Sequence, residues 1–317
     1  SIKMDGNGRA RATLLPNTAY YLIETKAPTG YLSRRDRIAF TTGKSGGHVT
    51  INEQPGSITL RVVKTDAATS AGAQAGTSLA EAEFTCVSQS TPGWTRTFTT
   101  EGDGQATLSG IPLGTFTLYE SKAPEGYLLP HDSWTYTVGP NQLNDMGVVE
   151  LERRIPNTHI AFDLEISKFK DYGNGEQSGL EQPAEGVVFE IVSNSSKQVV
   201  GTLTTNIYGF ASTKDQTKAW FGAGTRPDGV HGAIPYDREG YTVREVPETV
   251  PAGFKRAEDW TIAPEQIADG AKLQYIVDNH TLSTHLQIIK RDAQTGASVP
   301  LAGFSFQLLN SNREPIS

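Results

Sequence analysis

The chain has 317 residues, a formal net charge of −7 at pH 7 and one cysteine. Its 28 basic residues are dispersed, which argues against a nucleic-acid groove, and no apolar run approaches the ~18–20 residues of a membrane span. With 32 Gly and 17 Pro outside any low-complexity run, the composition suits many short strands joined by tight turns.

In chain order, Asp5-Gly6-Asn7-Gly8 reads as a turn, and the phrase Tyr21-Leu22-Ile23-Glu24-Thr25-Lys26-Ala27-Pro28-Thr29-Gly30-Tyr31 reads as an alternating strand ended by its Pro-x-Gly-Tyr. Val49-Thr50-Ile51-Asn52 reads as a further strand ending in asparagine. A strand carrying a lysine comes next, Ile58-Thr59-Leu60-Arg61-Val62-Val63-Lys64, with Lys64 on the same side as Leu60 and Val62. That side faces the core, where lysine is rarely placed without a partner. In Ala82-Glu83-Phe84-Thr85-Cys86, the alternation puts Cys86 on the apolar face of a strand as a structural thiol. A lone cysteine allows no disulfide within the chain. Thr99 to Ala106 carries glycines placed as in a hairpin turn.

The phrase then returns as Leu118-Tyr119-Glu120-Ser121-Lys122-Ala123-Pro124-Glu125-Gly126-Tyr127, and Arg154-Ile155-Pro156-Asn157 closes that unit. A second lysine strand, Leu164-Glu165-Ile166-Ser167-Lys168, opens the next. Its phrase is looser: Tyr241-Thr242-Val243-Arg244-Glu245 is followed two residues late by Pro251-Ala252-Gly253-Phe254, and Ile276-Val277-Asp278-Asn279 closes it. Leu286-Gln287-Ile288-Ile289-Lys290 repeats the lysine strand once more. A repeat of roughly 100–125 residues is the size of a domain, so the chain reads as a tandem array. The expected units are 1–56 (the carboxy-terminal part of one domain), 57–158 and 159–281 (complete), and 282–317 (the amino-terminal part of another). Each is expected to be an antiparallel β-sandwich in an all-β chain. An insertion near 214–239 carries Trp220, Phe221, His231 and Tyr236. The preferred reading folds these aromatics onto their own sheet, and the alternative makes Trp220, Phe221 and Tyr236 a ligand loop.

Lysine strand, glutamate phrase and closing asparagine together resemble the Cna B-type domains, the SpaA-like prealbumin fold of Gram-positive pilins and surface adhesins. The resemblance covers nearly the whole chain. It implies a spontaneous Lys–Asn isopeptide bond with the acid as catalyst, in the trios Lys64–Glu120–Asn157 and Lys168–Glu245–Asn279. Glu24, Asn52 and Lys290 would belong to incomplete trios. A free lysine with pKa ≈ 10.4 is neutral in only about one molecule in 2,500 at pH 7, so burial is what would supply the nucleophile.

The resemblance further implies an extracellular, cell-wall-anchored stalk, with signal and anchor outside these residues and neighbouring domains of the array as partners. The alternative function is adhesion to host matrix protein or glycan through the insertion. The crosslinking is single-turnover and is not counted as enzyme activity. Leu15-Pro16-Asn17-Thr18-Ala19 resembles a sorting signal but lacks its glycine and reads as a turn. No metal or other cofactor is expected: the six histidines lack ligand spacing, and no Gly-x-Ser-x-Gly or phosphate loop is present.

Overall fold

A computed structural model describes residues 1–34, 36–172, 181–214, 219–282, 286–300 and 302–315. Among these residues the regular structure is strands and three short 3-10 turns. Among the described residues no helix is long and apolar enough to cross a membrane.

An amino-terminal hairpin pairs β1 (Ala19–Leu22) with β2 (Ile38–Thr41). The next strands are β3 (Ser57–Asp66), β4 (Glu83–Ser88), β5 (Thr95–Thr99), β6 (Gln105–Pro112), β7 (Gly114–Lys122), β8 (Ser133–Val138) and β9 (Val148–Asn157). They form two sheets, ordered β6-β3-β9 and β5-β4-β7-β8. After them come β10 (Ala161–Asp171), β11 (Glu181–Pro183), β12 (Val188–Ser193), β13 (Val199–Thr204), β14 (Phe210–Ser212), β15 (Ile234–Pro235), β16 (Tyr241–Glu245), β17 (Trp260–Ile262) and β18 (Lys272–His280). Here β10 gathers β11, β14, β15 and β18, opposite the sheet β13-β12-β16-β17.

Period-2 alternation builds both cores. Ile58, Leu60 and Val62 of β3 meet Phe84 and Cys86 of β4, and Phe116 and Leu118 of β7. Phe162, Leu164 and Ile166 of β10 meet Phe189, Ile191, Tyr241 and Val243. The expected all-β sandwiches are therefore present. Most pairs are antiparallel, but in each sandwich the first strand lies parallel to the last, β3 with β9 and β10 with β18. The Thr99–Ala106 segment differs from the expected hairpin. It is a turn closed by Gly104 N–H donating to Glu101 O, and it carries the chain from one sheet to the other.

The terminal segments depart from their pattern. Val49–Asn52 and Leu286–Lys290 form no strand. Leu286, Ile288 and Ile289 are exposed. Alternation writes an amphipathic strand, but such a strand needs an opposing apolar face to hold it.

Cys86 has no solvent exposure, and burial pushes its thiol pKa up to about 11. It is expected to resist a disulfide-forming thiol reagent in the folded chain and to react fully once denatured. Native-state labelling at the unfolded rate would overturn this.

Candidate functional site

The thrice-written phrase makes the same turn each time. Tyr31, Tyr127 and Phe254 donate their N–H to the carbonyls of Pro28, Pro124 and Pro251, around Gly30, Gly126 and Gly253 at φ 91, 82 and 86. Those positive φ values are what the glycines are for. The chain then runs alongside the closing segment: Leu32, Leu128 and Lys255 donate to the carbonyls of Gln54, Thr158 and His280.

In the first sandwich, parallel pairing sets Lys64 opposite Ile155 and Asp66 opposite Asn157. The side chains of Lys64 and Asn157 therefore meet on the inward face, and Glu120 reaches them from the facing sheet. Lys64, Glu120 and Asn157 are only 2%, 4% and 1% exposed. Lys64 Nζ donates to Glu120 Oε2 at 2.7 Å and to Asn157 Oδ1, and Asn157 Nδ2 donates to Glu120 Oε1 at 2.9 Å. The three groups close a ring. A fourth contact, Asn157 Nδ2 to the Leu128 carbonyl at 3.2 Å, orients the carboxamide. Burial pulls the Lys64 pKa below the ordinary lysine range, while Glu120 acts in the opposite direction.

The second trio is equally buried but arranged differently. Asn279 Nδ2 donates to Glu245 Oε2 and to the Lys255 carbonyl, each at 2.9 Å. Lys168 Nζ lies 3.8 Å from Glu245 Oε1 and donates to the Val277 carbonyl at 3.2 Å. Burial brings the Lys168 pKa down to about 8, against the raising effect of Glu245 and Asp278.

One sequence difference accounts for part of the contrast. The Ala257 N–H donates to Glu245 Oε2 at 2.7 Å, as the Arg34 N–H does to Glu24 at 2.6 Å. The corresponding position after Glu120 is Pro130, which has no N–H, so this backbone donor is missing and Glu120 Oε2 accepts from Lys64. Sequence reasoning missed the Leu128 and Lys255 carbonyls and this backbone donor. The visible signal was their fixed offset from the turn glycine.

The remaining expected residues stay apart. Glu24 is half-buried and Asn52 exposed, while Lys290 is exposed with its Nζ 3.9 Å from the Phe304 ring centre. The insertion meets its preferred reading only in part. Phe221 is buried in the core of its own sandwich. Trp220 is half-buried with its indole N–H on the Ala223 carbonyl, and Tyr236 donates its hydroxyl to Glu125 of the preceding sandwich at 2.6 Å. Residues 215–218 of the insertion lie outside the described residues.

Two residues beyond each end of the first trio lies a second buried pair. His159 Nε2 and Asp66 Oδ2 are 2.5 Å apart, both side chains fully buried. Tyr127 Oη also donates to Asp66 Oδ2, at 2.9 Å. Burial alone would raise the Asp66 pKa, but hydrogen bonds from His159, Tyr127 and the Thr69 N–H bring it below the usual carboxylate range.

The SpaA prealbumin-like fold domain model matches residues 1–55 and again residues 59–151. No curated protein matches the chain. Among solved structures, the Bacillus anthracis TIE protein is similar at 20% identity and a TM-score of 0.52, over 88% of this chain and 45% of that one. The chain thus spans less than half the length of that relative. The C-terminal fragment of the pilus adhesin SpaC from Lactobacillus rhamnosus GG is 13% identical, with a TM-score of 0.39 over 72% of this chain and 99% of that one. GBS52, the minor pilin of Streptococcus agalactiae, is 13% identical, with a TM-score of 0.30 over 73% and 99%.

A depressed Asp66 pKa stabilises the fold above the unfolded carboxylate value of ~3.9, and that stability is lost as pH falls. Asp66→Asn is expected to lower the thermal midpoint near neutral pH and to flatten its decline on the acid side. An acid-side decline identical to that of the unmutated chain would contradict the assignment.

Proposed function

We propose, on the premise that this is a chain of SpaA-type prealbumin-like domains, that it is a self-crosslinking stalk segment of a pilin-type surface protein. The observation carrying this reading is the buried, closed ring of Lys64, Glu120 and Asn157. The array of units 1–56, 57–158, 159–281 and 282–317 is part of the same proposal, and the separate cores of the two middle units support it.

The chemistry follows from the positions. A neutral Lys64 Nζ attacks Asn157 Cγ; the new C–N bond forms as the bond to Nδ2 breaks, and ammonia leaves. Glu120 touches both nitrogens, so its carboxyl can accept the proton lost by the amine and return one to the departing amide. The fold supplies proximity, and burial supplies the unprotonated amine. The Leu128 carbonyl holds the amide in place. The same reaction is proposed for Lys168, Glu245 and Asn279.

A bond between residues 93 apart closes a loop worth ~4–5 kcal/mol on the disulfide loop-entropy scale, used as an analogy. More important for a stalk, tension meets a covalent clamp that reduction cannot open. In an extracellular setting, anchored to a cell wall beyond these residues, a chain whose one cysteine allows no internal disulfide needs another covalent stabiliser, which the proposed bonds supply. The stalk reading is preferred over host adhesion because Phe221 is buried in a core and Tyr236 is engaged by Glu125.

The intact chain is expected to weigh less than its sequence by one ammonia for each bond formed. Lys64→Ala should restore one of these and leave the other. A mass equal to the plain sequence would refute the proposal. The Lys168 amine is neutral above about 8 in the folded chain, so in a Lys64→Ala chain isolated unfolded before it has ever folded, ammonia release from the 159–281 unit on first folding should accelerate as pH rises through about 8 and then level off. A rate that falls over this range would exclude Lys168 as the nucleophile.

A further inference from the structure

The sandwiches are joined by only Thr158-His159-Ile160, between the end of β9 and the start of β10. Domains joined by so short a linker still pivot by default unless an interface holds them. Here the insertion of the second sandwich reaches back over that joint. Ala223 N–H donates to Gln74 Oε1 at 2.7 Å, and Thr225 N–H to the Ala68 carbonyl at 3.0 Å. Arg238 donates its N–H to the Gly76 carbonyl at 2.9 Å and its guanidinium to the Thr77 carbonyl at 3.0 Å. Tyr236 holds Glu125.

The approach is close enough to require glycine. A Cβ on Gly224 would fall 2.3 Å from the Ala68 carbonyl oxygen, and one on Gly76 would fall 2.6 Å from the Asp237 carboxyl. A Cβ on Gly126 would fall 2.4 Å from the Tyr236 ring. Both faces are anchored in their own sandwich. Asp237 accepts from the Ser193 and Ser195 hydroxyls, and Phe221 is set in the second core. On the other side Gln74 Nε2 donates to Asp66, which also binds His159 of the linker. The His159 ring stacks on Tyr127 at 4.4 Å.

We propose that residues 219–240 are an interdomain strut: an insertion whose partner is the end of the preceding unit, fixing the two sandwiches as one rigid body with His159 as its pin. The strut surface is specific to this joint. At the next joint the bridge is Phe254 with Thr281, and Lys170 takes the place of Asp66. The proposal does not depend on bond formation in either trio.

The test is the distance distribution between spin labels on Thr97→Cys and Thr204→Cys in the full chain, both positions being exposed and Cys86 being buried. One narrow distribution is expected. Combining Gln74→Ala, Tyr236→Phe and Arg238→Ala should broaden it by about twofold or more, as for freely linked domains, with the near-ultraviolet circular dichroism of both cores retained. Gly224→Ala wedges the same contact from one side and should broaden it independently. A wild-type distribution as broad as that of the variants would overturn the strut, and so would an unchanged narrow one in the triple variant.

Discussion

An amine buried in an apolar sandwich is the constraint on which the rest depends. Lys64 and Lys168 sit where leucine or valine would pack, and an ammonium there loses its hydration. The fold must therefore deliver partners to one place. Parallel pairing of first and last strands brings the asparagine, and the opposite sheet brings the glutamate. The turn after the glutamate strand brings a carbonyl that orients the carboxamide. Each of these elements would be ordinary alone. Together they make a polar interior in which burial favours the neutral amine.

The two trios show how one backbone donor changes such a site. Where Ala257 supplies an N–H, the Glu245 carboxylate is held from behind, and Lys168 turns to the Val277 carbonyl. Where Pro130 stands, Glu120 is left to bind the lysine. Among the described residues, Glu245 Oε1 and Asn279 Oδ1 have no hydrogen-bond partner. A buried carboxylate oxygen without a donor is costly, and a lysine 3.8 Å away is the group best placed to satisfy it.

Much of this was legible in the residues. Period-2 alternation located the inward faces of Lys64, Glu120, Lys168 and Glu245, and the spacing of the glutamate phrase located the turns. Three things were not legible. Parallel pairing of the first and last strands is a non-local choice that alternation does not encode. The segment after Thr99 has hairpin chemistry, yet it crosses between sheets, because a turn fixes a change of direction and not a partner. The insertion's aromatics signalled burial without saying against what; Tyr236 finds Glu125, 111 residues away. At Lys290 the alternation was present, but among the described residues its apolar neighbours Leu286, Ile288 and Ile289 stay exposed.

Parallel pairing of the first and last strands also governs how such an array is assembled in time. As a sandwich emerges from synthesis, β3 finds β6 early, yet the edge meant for β9 stays open until the unit's last residues are made. An unpaired edge is a template for any similar strand, and in a tandem repeat the neighbour offers one. Exchange of closing strands between units is thus the characteristic misassembly this topology invites. The two closing strands, Val148–Asn157 and Lys272–His280, differ at most of their aligned positions, which makes each a poorer substitute in the other's sheet. Sequence difference between repeats thus works against exchange of their last strands.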